Sequence, residues 1–256
     1  MSKTILLTGA SRGIGLSIAK FLLSQPANHN LVLIARTTQP LHDLESTYGK
    51  NRIAILTGDL SEFDLAQKAI DLAKDRFQRL DAVIVNHGVL DPVKRLSDCT
   101  AEEWRKSYDV NFFSAVALSR AALSLLRESN GTILFTSSGA AGNAYPTWGA
   151  YGSSKAALNH LAGTIANEEK DIVSIAIRPG VVDTEMQRDI REKHSGSMDP
   201  KDAAKFKELK ETGGLLKPEQ PGHVMAKLAV EEKNKLDGLS GKFLTWNAAE
   251  LKAWQE

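Results

Sequence analysis

The stretch Thr8-Gly9-Ala10-Ser11-Arg12-Gly13-Ile14-Gly15 decides the fold of this chain. It directly follows the apolar run Thr4 to Leu7 and leads into an amphipathic pattern, as a turn between a strand and a helix does. Glycines there permit a tight turn, close approach of a pyrophosphate to the backbone, and close contact of helix with strand. The helix start offers N–H groups to phosphates. The context therefore predicts a dinucleotide-binding turn built from Gly9, Ser11, Arg12, Gly13, Ile14 and Gly15.

The same stretch also fits a second motif. Gly9-Ala10-Ser11-Arg12-Gly13 satisfies G-x-S-x-G, the nucleophile elbow of α/β-hydrolases. An elbow serine needs an oxyanion-hole loop from an earlier strand. Only eight residues precede Gly9, which leaves no room for that loop, so we disfavour a hydrolase.

Short apolar runs alternate with amphipathic stretches along the chain. The expected strands are Thr4 to Leu7, Leu31 to Ala35, Ile53 to Leu56, Ala82 to Val85, Thr132 to Phe135 and Val173 to Ile177. The expected helices are Ile14 to Leu23, Asp64 to Phe77, Ala101 to Leu126 and Ala150 to Glu168. This alternation predicts an α/β fold of the Rossmann type, a doubly wound parallel sheet with helices on both faces. We expect residues 1–256 to form a single NAD(P)-binding domain.

The segment 185–217 departs from the alternation. It is rich in charge, contains Gly213-Gly214 near its end and has no strand signal. It directly follows the sixth strand, whose carboxyl end borders the ligand crevice in such folds. We therefore expect a mobile substrate lid, with a solvated surface insertion as the alternative.

Composition excludes several classes of function. A formal net charge of +1, without a basic run carrying interleaved aromatics, argues against nucleic acid as a partner. Cys99 is the only cysteine and the six histidines show no ligand spacing, so neither a disulfide nor a metal site is expected. No apolar run approaches the roughly 18 residues needed to cross a bilayer. We expect a cytoplasmic protein without a membrane partner.

Arg36 ends the second strand, about 20 residues after the glycine turn, where an NAD enzyme places a carboxylate for the ribose 2′-hydroxyl. An arginine there suits the 2′-phosphate of NADPH (NADP+). Arg12 could supply a second positive charge beside the same phosphate. The alternative for either arginine is an ordinary solvated charge.

Tyr151 and Lys155 lie four residues apart at the start of a helical stretch, which places them on one face. Such a pair is common on protein surfaces. Its position after the fifth strand, which leads into Thr136-Ser137-Ser138-Gly139, favours a catalytic role.

Spaced motifs, in order and over essentially the full length, resemble those of short-chain dehydrogenases/reductases. The family's TGxxxGxG turn is matched by Gly9, Gly13 and Gly15, and its adenine-contacting Asp by Asp59 in Gly58-Asp59-Leu60. Its Asn-Asn-Ala-Gly signature is altered to Val85-Asn86-His87-Gly88, in which we expect His87 to be tolerated variation rather than a catalytic base. The resemblance implies cofactor contacts from Asp59, Leu60, Asn86, Gly88, Tyr151, Lys155, Pro179, Gly180, Val182 and Thr184.

The resemblance also implies a catalytic set of Asn111, Ser138, Tyr151 and Lys155. Reduction of a carbonyl by a nicotinamide requires polarisation of the carbonyl and a proton for the developing alkoxide. Ser138 can hydrogen-bond the carbonyl oxygen, and the charges of Lys155 and the oxidised ring are expected to lower the pKa of Tyr151 from about 10. Asn111 is expected to anchor a water through which protons reach Lys155.

A narrower resemblance points to the sepiapterin reductase and fungal benzil reductase branch. It depends on Asp183-Thr184-Glu185-Met186-Gln187 and Ser240-Gly241-Lys242-Phe243. Tyr145, Trp148 and Met186 lie where a pocket for a flat or aromatic carbonyl compound should form, with core packing as the alternative. The Asp that holds the pterin ring in that branch is replaced by Thr245, unless Glu250 takes its place. We therefore expect benzil-type α-diketones to be better substrates than sepiapterin.

Other functions share these residues. A catalytically silent NADPH-binding regulator would keep the cofactor motifs, and an NAD-linked alcohol oxidiser would keep the catalytic set. Apolar residues on more than one face of Ala115 to Leu126 suggest a homodimer, although burial under the sheet explains them equally.

Overall fold

A parallel sheet forms the centre of the molecule. The computed structural model describes residues 1–255, within which seven strands pair in the order β3-β2-β1-β4-β5-β6-β7. All six registers are parallel. The strands are β1 (Thr4–Thr8), β2 (Asn30–Ala35), β3 (Ile53–Thr57), β4 (Ala82–Val85), β5 (Thr132–Thr136), β6 (Val173–Arg178) and β7 (Phe243–Thr245). The predicted strands and the doubly wound class are confirmed, and β7 was not predicted.

Helices cover both faces of the sheet. They are α1 (Gly13–Ser24), α2 (Gln39–Tyr48), α3 (Asp64–Phe77), α4 (Ala101–Tyr108), α5 (Ser114–Ser129), α6 (Gly149–Glu168), α7 (Glu185–Glu192), α8 (Pro200–Glu211), α9 (Glu219–Val230), α10 (Lys233–Leu236) and α11 (Lys252–Gln255). Successive side chains of a strand point to opposite faces, so Ile5 and Leu7 pack against α1, α2 and α9, whereas Leu6 packs against α3, α5 and α6. The expectation of strands apolar on both faces is met.

The strand order fixes where a ligand can bind. β1 has β2 on one side and β4 on the other, so the chain changes direction across the sheet at β1. The connections after these strands leave on opposite sides and open a crevice at their carboxyl ends. The glycine-rich turn after β1 lies at this crevice.

The helix predicted over Ala101 to Leu126 is interrupted. α4 and α5 are joined by a π-helical turn, Asp109–Phe113, and α5 ends at Ser129. Together they form one helical run from Ala101 to Ser129 that is long and apolar enough to cross a membrane by length and composition alone. α5 packs on α3 and the sheet through buried side chains such as Leu118 and Leu126.

The segment 185–217 contains two helices, α7 and α8. α7 and α8 are joined by a loop that includes a short 3₁₀ turn, Ser195–Ser197. After α8, Leu216 returns to form an isolated parallel bridge with Val182. Both helices therefore lie beside the end of β6; the mobility of the segment stays a prediction.

Candidate active site

A cleft of about 470 Å³ lies at the carboxyl ends of the strands. This is within the range of small-molecule and cofactor sites. Most of the residues singled out from sequence line it, and these are Gly9, Ser11, Arg12, Gly13, Ile14, Arg36, Asp59, Leu60, Asn86, Gly88, Ser138, Tyr145, Trp148, Tyr151, Lys155, Pro179, Gly180, Val182, Thr184 and Met186. Gly15 and Asn111 do not line it. One cleft thus collects residues from segments far apart in the chain.

The glycine turn has the shape that a phosphate cradle requires. Gly9 and Gly13 adopt φ of +64° and +53°, a left-handed conformation that other residues rarely take. A Cβ on Gly9 would lie 3.1 Å from the backbone of His87. A Cβ on Gly15 would lie 2.1 Å from the carbonyl oxygen of Gly9, so Gly15 allows α1 to pack closely on the turn after β1 rather than lining the cleft. The turn and the 12-residue helix behind it fit a pyrophosphate.

Arg12 and Arg36, two of the three arginines that line the cleft, pair with acids. Arg12 forms an ion pair with Glu185 at the start of α7, and Arg36 lies 3.8 Å from Asp59. The Arg12 and Arg36 side chains are 63% and 65% exposed, so a bound anion can reach both guanidinium groups. Backbone and hydroxyl hydrogen bonds from Ser61 are the main cause that lowers the pKa of Asp59, and Arg36 adds to the effect. The pairing of Arg12 with Glu185 was not predicted.

Ser138, Tyr151 and Lys155 meet at the end of β5. Tyr151 is buried, and this burial raises its pKa, while a hydrogen bond with the Ser138 hydroxyl acts in the opposite direction. The Lys155 Nζ donates to the Thr136 carbonyl oxygen at 2.8 Å and lies 5.8 Å from the centre of the Tyr151 ring. Burial lowers the pKa of Lys155 to about 8. In this structure desolvation outweighs the hydrogen bond with Ser138, so the pKa of Tyr151 lies above its ordinary value; the expected lowering includes the charge of the oxidised ring and stays a prediction.

Asn111 lies behind the cleft rather than on its wall. Its amide nitrogen donates to the Val89 carbonyl oxygen at 2.9 Å and its amide oxygen accepts from the Val89 N–H at 2.8 Å. Gly88 separates it from Lys155, since a Cβ on Gly88 would lie 3.1 Å from Asn111 Oδ1 and 3.3 Å from Lys155 Nζ. The π turn thus positions the Val89 backbone through Asn111. A water-relay role for Asn111 stays a prediction.

His87 ties three segments together. One ring nitrogen lies 2.7 Å from the Thr8 hydroxyl, and the other lies 2.9 Å from the Val110 carbonyl oxygen and 2.8 Å from the Ser114 hydroxyl. Although His87 lines the cleft and is only partly buried by surface area, desolvation of the ring and the charge of Lys155 lower its pKa to about 3. A group with that pKa is a poor base near neutrality. This agrees with the expectation that His87 is not a catalytic base.

The rest of the cleft is aromatic. The rings of Trp148 and Phe206 stack with centroids 5.5 Å apart, and Tyr145 lies 5.1 Å from Trp148. Trp148 also meets the Tyr151 ring edge-on at 6.0 Å. Phe206 comes from α8 and was not singled out from sequence, although it is apolar within a charged helix. Tyr145, Trp148 and Met186 therefore line a pocket beside Tyr151, while also packing together as a cluster.

Similarity to known proteins agrees with this arrangement. The chain is 42% identical over 248 residues, 96% of each chain, to an uncharacterised oxidoreductase, YIR035C, of Saccharomyces cerevisiae. The crystal structure of that protein superposes with a TM-score of 0.95 at 40% identity, covering 100% of both chains. The chain is 39% identical over 260 residues, 98% of each chain, to benzil reductase ((S)-benzoin forming) IRC24 of the same yeast.

A more distant structure carries a nicotinamide nucleotide. It is an alcohol dehydrogenase of the archaeon Thermococcus sibiricus complexed with 5-hydroxy-NADP, with a TM-score of 0.76 at 27% identity over 96% of both chains. A model of the short chain dehydrogenase family matches residues 3–195. The doubly wound sheet, the glycine turn and these matches show that the chain belongs to the short chain dehydrogenase family of oxidoreductases.

Proposed function

We propose that this protein is an NADPH-dependent carbonyl reductase that acts on ketones or α-diketones of the benzil type, with Tyr151 as the proton donor. The observation that carries the proposal is the meeting of Ser138, Tyr151 and Lys155 in one cleft, between a glycine-rich phosphate cradle and an aromatic pocket. The similarity to a benzil reductase supports the substrate class. A free, partly buried Cys99 fits a reducing compartment, so we place the protein in the cytoplasm.

The residues suit this chemistry. The bound nicotinamide supplies a hydride to the carbonyl carbon. The hydroxyls of Ser138 and Tyr151 would each donate a hydrogen bond to the carbonyl oxygen as negative charge develops on it. The raised pKa keeps Tyr151 protonated at neutral pH, ready to donate its proton to that oxygen. Lys155 contributes positive charge beneath the tyrosine.

Residues along the rest of the cleft would hold the cofactor. The turn from Gly9 to Ile14 would hold the pyrophosphate, and Arg36 with Arg12 the 2′-phosphate. Pro179, Gly180, Val182 and Thr184, which follow β6, would border the nicotinamide. Gly180 adopts φ of +81° and a Cβ there would lie 2.6 Å from Leu216, so only glycine fits this bend.

We expect a preference of tenfold or more for NADPH over NADH that largely disappears in Arg36→Asp. A charge-assisted contact with phosphate contributes about 1.5 to 3 kcal/mol, which is one to two decades in affinity. Ratios of kcat/KM for the two cofactors measure it, with Arg76→Asp as a control outside the cleft. Equal kcat/KM values for NADPH and NADH in the unmodified protein would refute the role of Arg36.

Sepiapterin is the second candidate substrate, and the cleft disfavours it. Thr245 lies opposite Arg178 in the β6–β7 register, and neither Thr245 nor the exposed Glu250 lines the cleft. Among the described residues, the acids that line the cleft are Asp59 and Glu185, and both already pair with arginines. A carboxylate that would hold the amino and ring N–H groups of a pterin is therefore missing from the aromatic end.

The deciding experiment measures NADPH-dependent kcat/KM for benzil and sepiapterin in the wild type and in Tyr151→Phe. We expect benzil to give the higher value, and the variant to lose nearly all activity while binding NADPH almost normally, because the change removes only the hydroxyl. More than about a tenth of the rate remaining in the variant would remove Tyr151 from the acid role. NADPH binding without reduction of any carbonyl compound would favour a silent regulator.

A further inference from the structure

Arg178 ends β6 directly beside the proposed catalytic serine. Its guanidinium packs against Gly139, where a Cβ would lie 3.0 Å from Nε and 3.1 Å from Cζ. Gly139 follows Ser138 in the chain, and all three residues line the cleft. Glycine at 139 therefore makes room for a cation next to the group proposed to hold the reacting carbonyl.

Arg178 differs from the other cations at this cleft. The charged residues that line it are Arg12, Arg36, Asp59, Lys155, Arg178, Glu185 and Lys205. Arg12 and Arg36 are paired with the two acids, and Lys155 donates to a carbonyl oxygen. Lys205 lies over the rings of Tyr145 and Phe206.

Across residues 1–255, the Arg178 guanidinium has neither an acceptor nor an acid partner. It is also partly buried. A guanidinium presents five N–H donors in a planar fork that matches a carboxylate. The side chain is thus shaped for an anion that comes from outside the chain.

We propose that Arg178 binds a carboxylate on the substrate, so that the site takes 2-oxo acids with an aromatic or bulky apolar group. The inference rests on the proposed carbonyl reductase function. A carbonyl held by Ser138 leaves the adjacent carbon near the neighbouring Arg178, and the apolar group faces Trp148 and Phe206. The second carbonyl oxygen of benzil offers a neutral acceptor at the same place.

The reaction converts a 2-oxo acid into a 2-hydroxy acid. The carbonyl π bond is replaced by a C–H bond, formed with hydride from the reduced nicotinamide cofactor, and an O–H bond, formed with the Tyr151 proton. The cofactor leaves oxidised and the carboxylate is unchanged. Arg178 takes no part in the electron transfer. It selects substrates whose carboxylate it can bind while their carbonyl group lies at Ser138.

The test compares benzoylformate, which is ionised at neutral pH, with its neutral methyl ester. Both are aryl 1,2-dicarbonyl compounds, so they differ at the group that Arg178 would bind. We expect the ratio of kcat/KM for the acid to that for the ester to fall at least tenfold in Arg178→Leu and to recover partly in Arg178→Lys. Arg95→Leu is the matched control, because Arg95 is exposed and does not line the cleft.

A second readout is independent of turnover. Calorimetric titration of benzoylformate into the protein saturated with NADP+ should show binding that weakens at least tenfold in Arg178→Leu. An unchanged kcat/KM ratio, or unchanged binding, would overturn the role of Arg178 while benzil reduction persists. If the unmodified protein does not reduce benzil, the proposed function is overturned instead.

Discussion

At the scale of single residues, Tyr151 and Lys155 illustrate what spacing reveals and what it hides. Their separation by four residues predicted that they share a helix face, and both line the cleft. Their titration depends on burial, to which distant segments contribute: Tyr151 lies in one apolar cluster with Leu90 and Phe206. Sequence spacing contains no measure of burial, so the direction of the Tyr151 pKa shift could not be obtained from it.

The lowered pKa of Lys155 predicts a pH profile for reduction. Burial lowers that pKa to about 8, so Lys155 is charged below pH 8 and loses its charge above it. Because the proposed role needs the charged form, kcat/KM should be level below about pH 7 and fall above pH 8. Arg remains protonated throughout, so Lys155→Arg should be slower but lack the fall near pH 8. A wild-type profile that is level to pH 9 would contradict this role.

Pairings between distant residues form the other part of the site that sequence could not supply. Glu185 lies 173 positions after Arg12, and only the fold shows that they meet. Likewise, only the fold shows that Phe206 of α8 packs against Trp148 in the pocket. The motif residues could be predicted from the sequence because each motif is a short continuous stretch. Their contact partners depend on tertiary packing and could not.

At the scale of elements, the clearest predictions were those with a strong local pattern. Strands apolar on both faces were found to within one residue at each end, and α3 was found as expected. α9 was missed because Pro221-Gly222 interrupts its pattern, although proline is tolerated in the first turn of a helix. β7 is only three residues long and carries the exposed Phe243, so it gives little apolar signal. The π turn at Asp109–Phe113 adds no distinctive residue type.

The close packing of α1 on the turn after β1 makes Gly15 a sensitive position. A Cβ there would lie 2.1 Å from the Gly9 carbonyl oxygen and 2.7 Å from Asn86 Nδ2. We expect Gly15→Ala to displace the turn, to lower the free energy of unfolding by about 1 to 3 kcal/mol, and to weaken NADPH binding. Urea unfolding and cofactor titration measure both effects. Gly142→Ala is the control, since a Cβ on Gly142 meets nothing within 4 Å, and equal behaviour of the two variants would refute the steric argument.

At the scale of the whole molecule, the strand order brings four of the sequence motifs together at the carboxyl ends of the strands. The turn after β1, the acid after β3, the serine after β5 and the Pro-Gly segment after β6 meet because parallel strands end together. That part of the site follows from the order of elements and could be predicted. The aromatic end of the cleft needs α7 and α8 to fold back beside β6, and a charged segment gives no indication of where it packs.

The helical run from Ala101 to Ser129 predicts that two copies of this chain associate. Only 39% of its most apolar window is buried, and Phe113 at the π turn is 43% exposed beside Phe63, which is 44% exposed. Exposed apolar surface of this kind favours a partner surface, and a symmetric dimer buries one such patch against the other. Light scattering after size exclusion should therefore give twice the 27.9 kDa chain mass. Phe113→Glu should shift the protein towards the monomer, because association would then bury a charge. Leu96, whose side chain is 77% exposed, lies outside this patch, so Leu96→Glu should leave the mass unchanged; a monomeric wild type would contradict association through this face.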